Sequence, residues 1–206
     1  AYWHPSEFNP EENILSEQGL VKGECFSIIC LSALKAHHDI GVGGITNQMY
    51  HQIINLLKRF GRVIVIHEEG LILPDAEVVK ISPEKIHHLM AFSSLVISNG
   101  QTMCSEAACL GIPSVRINDF VGKISNLEEL EHKWEMSFGF KPINFKYALE
   151  KIEELLRTPR EVFIQRRNRL INEKIKLTDF LEWLILNYPE SLKIMKENPD
   201  YQHHFK

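Results

Sequence analysis

No stretch of this sequence approaches the roughly 20 consecutive apolar residues that a membrane-spanning helix needs. The longest candidate, residues 180–188, is interrupted by Glu182 and Asn187, so no membrane span is expected. An excess of positive charge is also missing: 23 Lys and Arg are interleaved with 27 Asp and Glu, for a net charge of -4. Nucleic acid and anionic membrane surfaces reward a basic patch, so neither is expected as the main partner. Cysteine is sparse, and Cys25, Cys30, Cys104 and Cys109 form no C-x-x-C pair. That spacing excludes the common zinc and dithiol motifs. Thiols in apolar runs read as buried and free, which implies a reducing, cytoplasmic setting. The start, Ala1-Tyr2-Trp3-His4-Pro5, has no initiator Met and neither the basic nor the apolar region of a secretory signal. A fragment or processed product is the expectation.

What is present suffices for a folded core. Over 206 residues, 44% are hydrophobic and 24% charged, enough for one large domain or two small ones. Short apolar runs alternate with helical patterns. Residues 26–31 read as a buried strand, and residues 46–60 as a helix with Met49, Ile53, Leu56, Leu57 and Phe60 at helical spacing. Gly61 ends that helix, and residues 62–67 form the next strand. Residues 78–81 follow as a short strand, then Ser82 as N-cap with Pro83 behind it and a helix to residue 92. Residues 95–98 and 113–117 are further strands, separated by a helix over 102–110 that Gly111 closes. Strands and helices on short links imply right-handed parallel βαβ units. The expected class is α/β, a Rossmann-like doubly wound parallel sheet with helices on both faces. Residues 1–189 make this domain, with 1–24 as a linker leading in and 160–189 as a C-terminal helical region. Residues 190–206 read as a polar tail that frays.

In open parallel sheets, ligands bind beyond the carboxyl ends of the strands. Three loops there are chemically unusual. The first is Asn99-Gly100-Gln101-Thr102-Met103, followed by Glu106 one helical turn after Thr102. Gly100 has no Cβ to hold a ligand off the backbone. The amides of Gln101, Thr102 and Met103 open a helix, where free N–H groups and the helix dipole favour phosphate. Glu106 would repel phosphate at contact but suits a sugar or ribose diol further along. The alternative is structural: Thr102 as N-cap, with Ala107 and Ala108 allowing close helix–sheet packing.

The second loop, residues 32–44, carries His37-His38-Asp39 and ends in Gly41-Val42-Gly43-Gly44. His37, His38 and Asp39 can supply a general base and its orienting partner near neutral pH. The alternative is a solvated loop with incidental histidines. Zinc is disfavoured because adjacent histidines rarely reach one ion and no third ligand is near. In the third loop, residues 116–126, Arg116 and Lys123 are suited to neutralise a diphosphate, and Asn118 and Asn126 to bond sugar hydroxyls. The alternative is a surface loop with Arg116 as a solvated strand-end charge. His88 reads as a surface or packing residue, His203-His204 as part of the tail, and Arg166-Arg167-Arg169 as the wet face of a helix.

Several separated motifs carry a family likeness. An apolar strand, Asn99-Gly100-Gln101-Thr102-Met103, then Ser105-Glu106-Ala107-Ala108 and Leu110-Gly111-Ile112-Pro113, resembles the C-terminal domain of glycosyltransferase-B enzymes. With His4-Pro5, Phe8, Pro10, the run 36–41, Phe120-Val121-Gly122, Lys174-Ile175 and Thr178, it is especially similar to the domain-of-unknown-function-354 family. That family is related to UDP-N-acetylglucosamine 2-epimerase and the MurG transferase. The resemblance implies that Gly100-Gln101-Thr102 faces the diphosphate of a UDP-sugar, that Glu106 holds the ribose, and that Ser82 to Ile86 lies against the base. It implies no separate cofactor, the nucleotide-sugar being the substrate, and no metal. It also implies a companion N-terminal acceptor domain absent from this chain. The related transferases have a Gly-rich turn where this sequence has Asn99-Gly100-Gln101, a departure that leaves the base unnamed. Glycosyl transfer is the leading expectation. A 2-epimerase-like reaction and a non-catalytic nucleotide- or glycan-binding module are the alternatives.

Overall fold

The computed structural model describes residues 6–32, 43–67, 77–79 and 81–206. They fall into two compact units, one within Pro10–Arg167 and a second made of Asn168–Lys206 with residues 6–9. The larger unit is built on six strands: β1 (Phe26–Leu31), β2 (Arg62–His67), β3 (Glu77–Val78), β4 (Leu95–Ser98), β5 (Ser114–Ile117) and β6 (Ser137–Phe140). Ile28, Ile29, Ile64, Val65, Val96, Ile97, Val115 and Ile117 are fully buried. Such near-continuous apolar strands are stable only when both faces of the sheet are covered.

All neighbours pair in parallel, in the order β3-β2-β1-β4-β5-β6. The chain therefore builds outward from β1 to one edge, returns to β4 beside β1, and builds outward to the other edge. A short helix, α1 (Asn13–Glu17), precedes β1 and packs on α3 (Ile86–Met90). Helices α3, α4 (Thr102–Cys109) and α5 (Ser125–His132) adjoin one another, while α2 (Asn47–Leu57) meets α6 (Phe145–Arg157). This is the Rossmann-like doubly wound α/β sheet, and its reversal point lies between β1 and β4.

Local sequence explains the principal helices. Thr46 caps α2, its Oγ1 accepting the Met49 N–H at 3.3 Å, and Tyr50, Ile53, Ile54 and Leu57 form the buried stripe. Ala148, Ile152 and Leu155 do the same for α6. In α4 the buried residues are the small Cys104, Ala107 and Ala108, so the helix sits low on the sheet. The Ser114 hydroxyl of β5 donates to the Cys104 carbonyl at 3.3 Å. Gly61 has no substitute in the turn before β2, because a Cβ there would collide with the Cys25 carbonyl.

Strand β6 is not legible in the sequence. It is four residues long, contains Gly139, and follows Glu135, which takes the left-handed conformation at φ 52°. The arginine cluster also differs from the solvated face expected of it. Arg166 donates to the Glu135 carbonyl at 3.0 Å and pairs with its carboxylate at 2.6 Å, and Arg167 Nε donates to the Cys109 carbonyl at 2.8 Å.

Helix α7 (Arg160–Glu173) leads into the second unit, which holds α8 (Leu177–Leu186), α9 (Glu190–Glu197) and a 3-10 turn over Pro199–Phe205. The expected frayed tail is therefore helical. Trp183 stacks on Tyr201 at 4.8 Å, Phe180 meets Phe205 edge-on at 5.6 Å, and His204 lies 4.7 Å from Tyr201. These rings, invisible to a reading of mean polarity, hold the segment together. Among the described residues, no helix is long and apolar enough to cross a membrane.

Candidate functional site

At the reversal between β1 and β4 two neighbouring strands send their chains in opposite directions, the place where doubly wound sheets bind ligands. The rim formed by the strand ends there is cross-tied. After β4, the buried Asn99 accepts from the Ser32 N–H at 2.8 Å and the Ser32 hydroxyl at 3.1 Å, and donates to the Ser32 carbonyl at 2.9 Å. The Asn99 carbonyl in turn accepts from Asn118 Nδ2 at 2.9 Å, while Asn118 Oδ1 accepts the Phe120 N–H at 2.9 Å. The sequence suggests ligand contact for both amide side chains. Both are instead buried and engaged inside the protein, and they join the ends of β1, β4 and β5.

Gly100 follows, its N–H donating to Ser98 Oγ at 2.9 Å. A Cβ at Gly100 would lie 3.5 Å from Ser98 Oγ and 3.6 Å from Ser32 Oγ, an ordinary contact. Among the described residues, nothing demands glycine here. Gln101 is the N-cap of α4, in a helical conformation and without a side-chain cap bond. Thr102, considered as a cap, is instead the first helical residue and is exposed, and Met103 is half-buried beside it. With no carboxylate in the first turn, the helix start is electrostatically receptive to an anion.

Glu106 stands one turn further along, as the spacing predicts. Its Oε2 lies 2.9 Å from His87 Nε2 of α3, with side chains 22% and 16% exposed. Glu106 also raises the pKa of Cys30 on β1, behind the larger effects of burial and Cys104. Nothing in the sequence singles out His87; only contact between two helices reveals it. Ser82 is exposed at the start of the 3-10 turn Pro83–Lys85, and the half-buried Ile86 begins α3. Asn126 is exposed near the start of α5, with Nδ2 3.5 Å from Ser105 Oγ of α4.

Arg116 is placed differently from either reading of it. It is 1% exposed, and the register sets it beside Ser98 and Gly139 on the face covered by α4 and α5. Gly139 makes the room: a Cβ there would lie 2.6 Å from Arg116 Nη2. Burial lowers the guanidinium pKa, opposed by Cys104, Glu131 and Glu128. The Glu128 carboxylate is 3.7 Å away, and none of the three nitrogens has a hydrogen-bond partner among the described residues. Arg116 thus lies beneath the helix layer, and Lys123 is the exposed cation of that loop.

His37, His38 and Asp39 lie outside the described residues. The two ends of their loop are fixed, at Ser32 against Asn99 and at Gly43 against Asp119. Among the described residues, no group of three or more His, Cys, Asp or Glu can hold a metal ion. A cavity of about 550 Å3 opens at the amino ends of the strands, lined by Phe26, Ser94, Pro113, Leu155, Arg160 and Phe163. It lies at the opposite end of the sheet from the α4 start and plays no part in this site.

No family model and no curated protein sequence matches the chain. Among solved structures it is similar to a spinosyn forosaminyltransferase, at 17% identity and TM-score 0.55, over 82% of this chain and 44% of that one. It is also similar to a spinosyn rhamnosyltransferase complexed with spinosyn aglycone, at 12% identity and TM-score 0.53, over 74% and 43%. A UDP-GlcNAc 2-epimerase from Methanocaldococcus jannaschii, solved with UDP-GlcNAc and UDP, matches at 10% identity and TM-score 0.48, over 73% and 43%. The chain spans less than half the length of these proteins. The likeness is one of fold: the α/β, Rossmann-like fold found in part of glycosyltransferase-B enzymes.

Proposed function

We propose that this chain is the nucleotide-sugar-binding half of a metal-independent glycosyltransferase of the domain-of-unknown-function-354 kind, taking a UDP-sugar as substrate with no separate cofactor. The observation that carries this reading is the start of α4. Among the described residues, it sits at the β1–β4 reversal with no side-chain cap, no first-turn carboxylate, and a glycine before it that no neighbour requires.

In this reading the amides of Gln101, Thr102 and Met103 bind the diphosphate, Gly100 lets it approach, and Glu106 accepts from the ribose hydroxyls. The Ser82–Ile86 segment lies against the base, and Asn126 and Lys123 face the sugar side. His37, His38 and Asp39 supply the acid–base chemistry for an acceptor brought by a companion domain. Donors already aimed where the leaving diphosphate gains charge lower the barrier without rearranging. Asn99 and Asn118 shape the rim rather than touch the substrate. Arg116 contributes its charge from below.

Calorimetric titration of this chain with UDP and its sugars, GDP and CMP is the test. Saturable binding of UDP, weakened about tenfold or more in Glu106→Gln, is the expected result. Absence of heat with every nucleotide removes the proposal.

A further inference from the structure

The cavity at the amino ends of the strands has the size of a small-molecule site, about 550 Å3, and its walls belong wholly to the larger unit. Phe26 of β1, Ile112 before β5, Leu155 of α6 and Phe163 of α7 give it an apolar lining. Its charged lining groups do not cancel one another. Glu12 is paired with Lys22 at 2.9 Å, and Glu24 with Arg62 at 3.4 Å. Arg160 is held differently. Its Nη1 donates to the Ser93 carbonyl at 3.2 Å and its Nη2 to the Ala91 carbonyl at 2.7 Å, and among the described residues it makes no ion pair. A guanidinium carries five N–H groups, and these two bonds use two of them. Carbonyl oxygens fix the group without cancelling its charge. Burial lowers the Arg160 pKa, opposed by Glu161, yet a guanidinium stays charged at any ordinary pH. The Ser93 and Thr158 hydroxyls of the same lining are spent inside the protein, on the Met90 and Glu154 carbonyls at 2.8 Å each.

We propose that this cavity is a second binding site, for an organic anion with an apolar body and a single carboxylate end, the body against the Phe26, Ile112, Leu155 and Phe163 walls and the carboxylate on Arg160. The planar guanidinium suits a carboxylate because its N–H groups lie in the plane of the two oxygens. The apolar walls reward the body by removing it from water. An uncharged molecule of the same shape gains only the second of these contributions. A dianion brings more charge than one cation matches, and it meets Glu12 and Glu24 on the same lining. The site lies at the opposite end of the sheet from the α4 start, so it stands whether or not the nucleotide reading holds.

Cys25 reports on occupancy, because it is an exposed free thiol on the cavity lining, whereas Cys30 and Cys104 are buried and Cys109 is not part of that lining. The experiment follows alkylation of Cys25 by N-ethylmaleimide, resolved by peptide mass spectrometry with Cys109 as internal reference, against octanoate and octan-1-ol. Octanoate should slow the Cys25 reaction saturably, with its half-effect at about tenfold lower concentration than that of octan-1-ol, the scale of one hydrogen bond to a charged group. Arg160→Gln and Arg160→Met should bring the two half-effects together, and Arg160→Lys, which keeps the charge, should retain most of the difference. Leu156→Trp fills the cavity from α6 and should remove protection by both compounds. Thr158→Trp fills it from a neighbouring position, so misfolding of one filling variant does not obscure the result. Unslowed alkylation of Cys25 in wild type overturns the proposal, as do equal half-effects for the two compounds. A difference that persists in folded Arg160→Gln or Arg160→Met overturns it as well, and so does undiminished protection in a folded filling variant. Equal slowing of Cys109 marks a general surfactant effect, which also overturns it.

Discussion

The carboxylate of Asp119 accepts the N–H of Gly43 at 2.7 Å, and the Asp119 N–H donates to the Gly43 carbonyl at 3.2 Å. This two-way tie joins the loop after β5 to the end of the loop after β1, far apart in sequence. A Cβ at Gly43 would stand 2.6 Å from Asp119 Oδ2, so a larger residue there pushes the carboxylate aside. Asp119→Ala leaves the Gly43 N–H without its charged acceptor and should cost about 1–3 kcal/mol. Chemical denaturation reads the loss. Under the proposed function, sugar-nucleotide affinity should fall as well, while Asp119→Asn retains part of both.

The start of α4 offers a test in which stability and binding move in opposite directions. Thr102→Asp places a carboxylate in the first turn, which should stabilise the helix by about 0.3–1 kcal/mol. The same charge repels a diphosphate, so UDP affinity should drop by about tenfold or more. A variant that melts higher yet still binds UDP like wild type would dissociate the helix start from the ligand.

Arg116 is a buried cation with a carboxylate at 3.7 Å and no hydrogen bonds among the described residues. Its desolvation is poorly offset, so Arg116→Met, similar in length and apolar, should be neutral or more stable by about 1 kcal/mol. Arg116→Ala should be destabilised by about 2 kcal/mol or more, because it leaves a void under α4 and α5. Thermal melts of the two variants separate charge from volume.

Gly61→Ala is expected to be among the most damaging single-methyl changes in the molecule. The added carbon meets backbone, the Cys25 carbonyl, which cannot rotate aside as a side chain would. A loss of about 3 kcal/mol or more, or failure to yield folded protein, follows from overpacking at a rigid contact. A melting temperature within a few degrees of wild type would contradict the close approach of these two segments.

Burial, the dominant effect in both cases, raises the Cys30 thiol far above its usual range and lifts Cys104 from 9.0 to about 11. Unfolded, both thiols ionise near pH 9; folded, they keep their protons. Their contribution is therefore complete below about pH 9 and is lost as pH rises toward the folded pKa, by up to about 1.4 kcal/mol per pH unit for each thiol. Melting curves across that window should fall with rising pH, and the double variant Cys30→Ala, Cys104→Ala should show a shallower fall.

Much of the fold was legible because its signals are local. The apolar runs of β1, β2, β4 and β5, the helical spacing in α2 and the Gly111 stop all lie within a few residues of what they govern. Strand β6 was hidden because its four residues include a glycine that serves Arg116 on the next strand. In the site, the α4 start and the Thr102–Glu106 spacing were readable from helical geometry. Three other features depend on partners distant in the chain: the inward turn of Arg116, the engagement of Asn99 and Asn118, and the approach of His87 to Glu106. Residue type alone suggested ligand chemistry for both asparagines, and tertiary contacts redirected them to the rim.

Asn99 reaches Ser32 with its side chain and Asn118 with its carbonyl, so one residue laces three strand ends together before anything arrives from solvent. Such a lip behaves as a preassembled socket. An incoming molecule has little local disorder to quench there, and more of its intrinsic attraction survives as observed affinity.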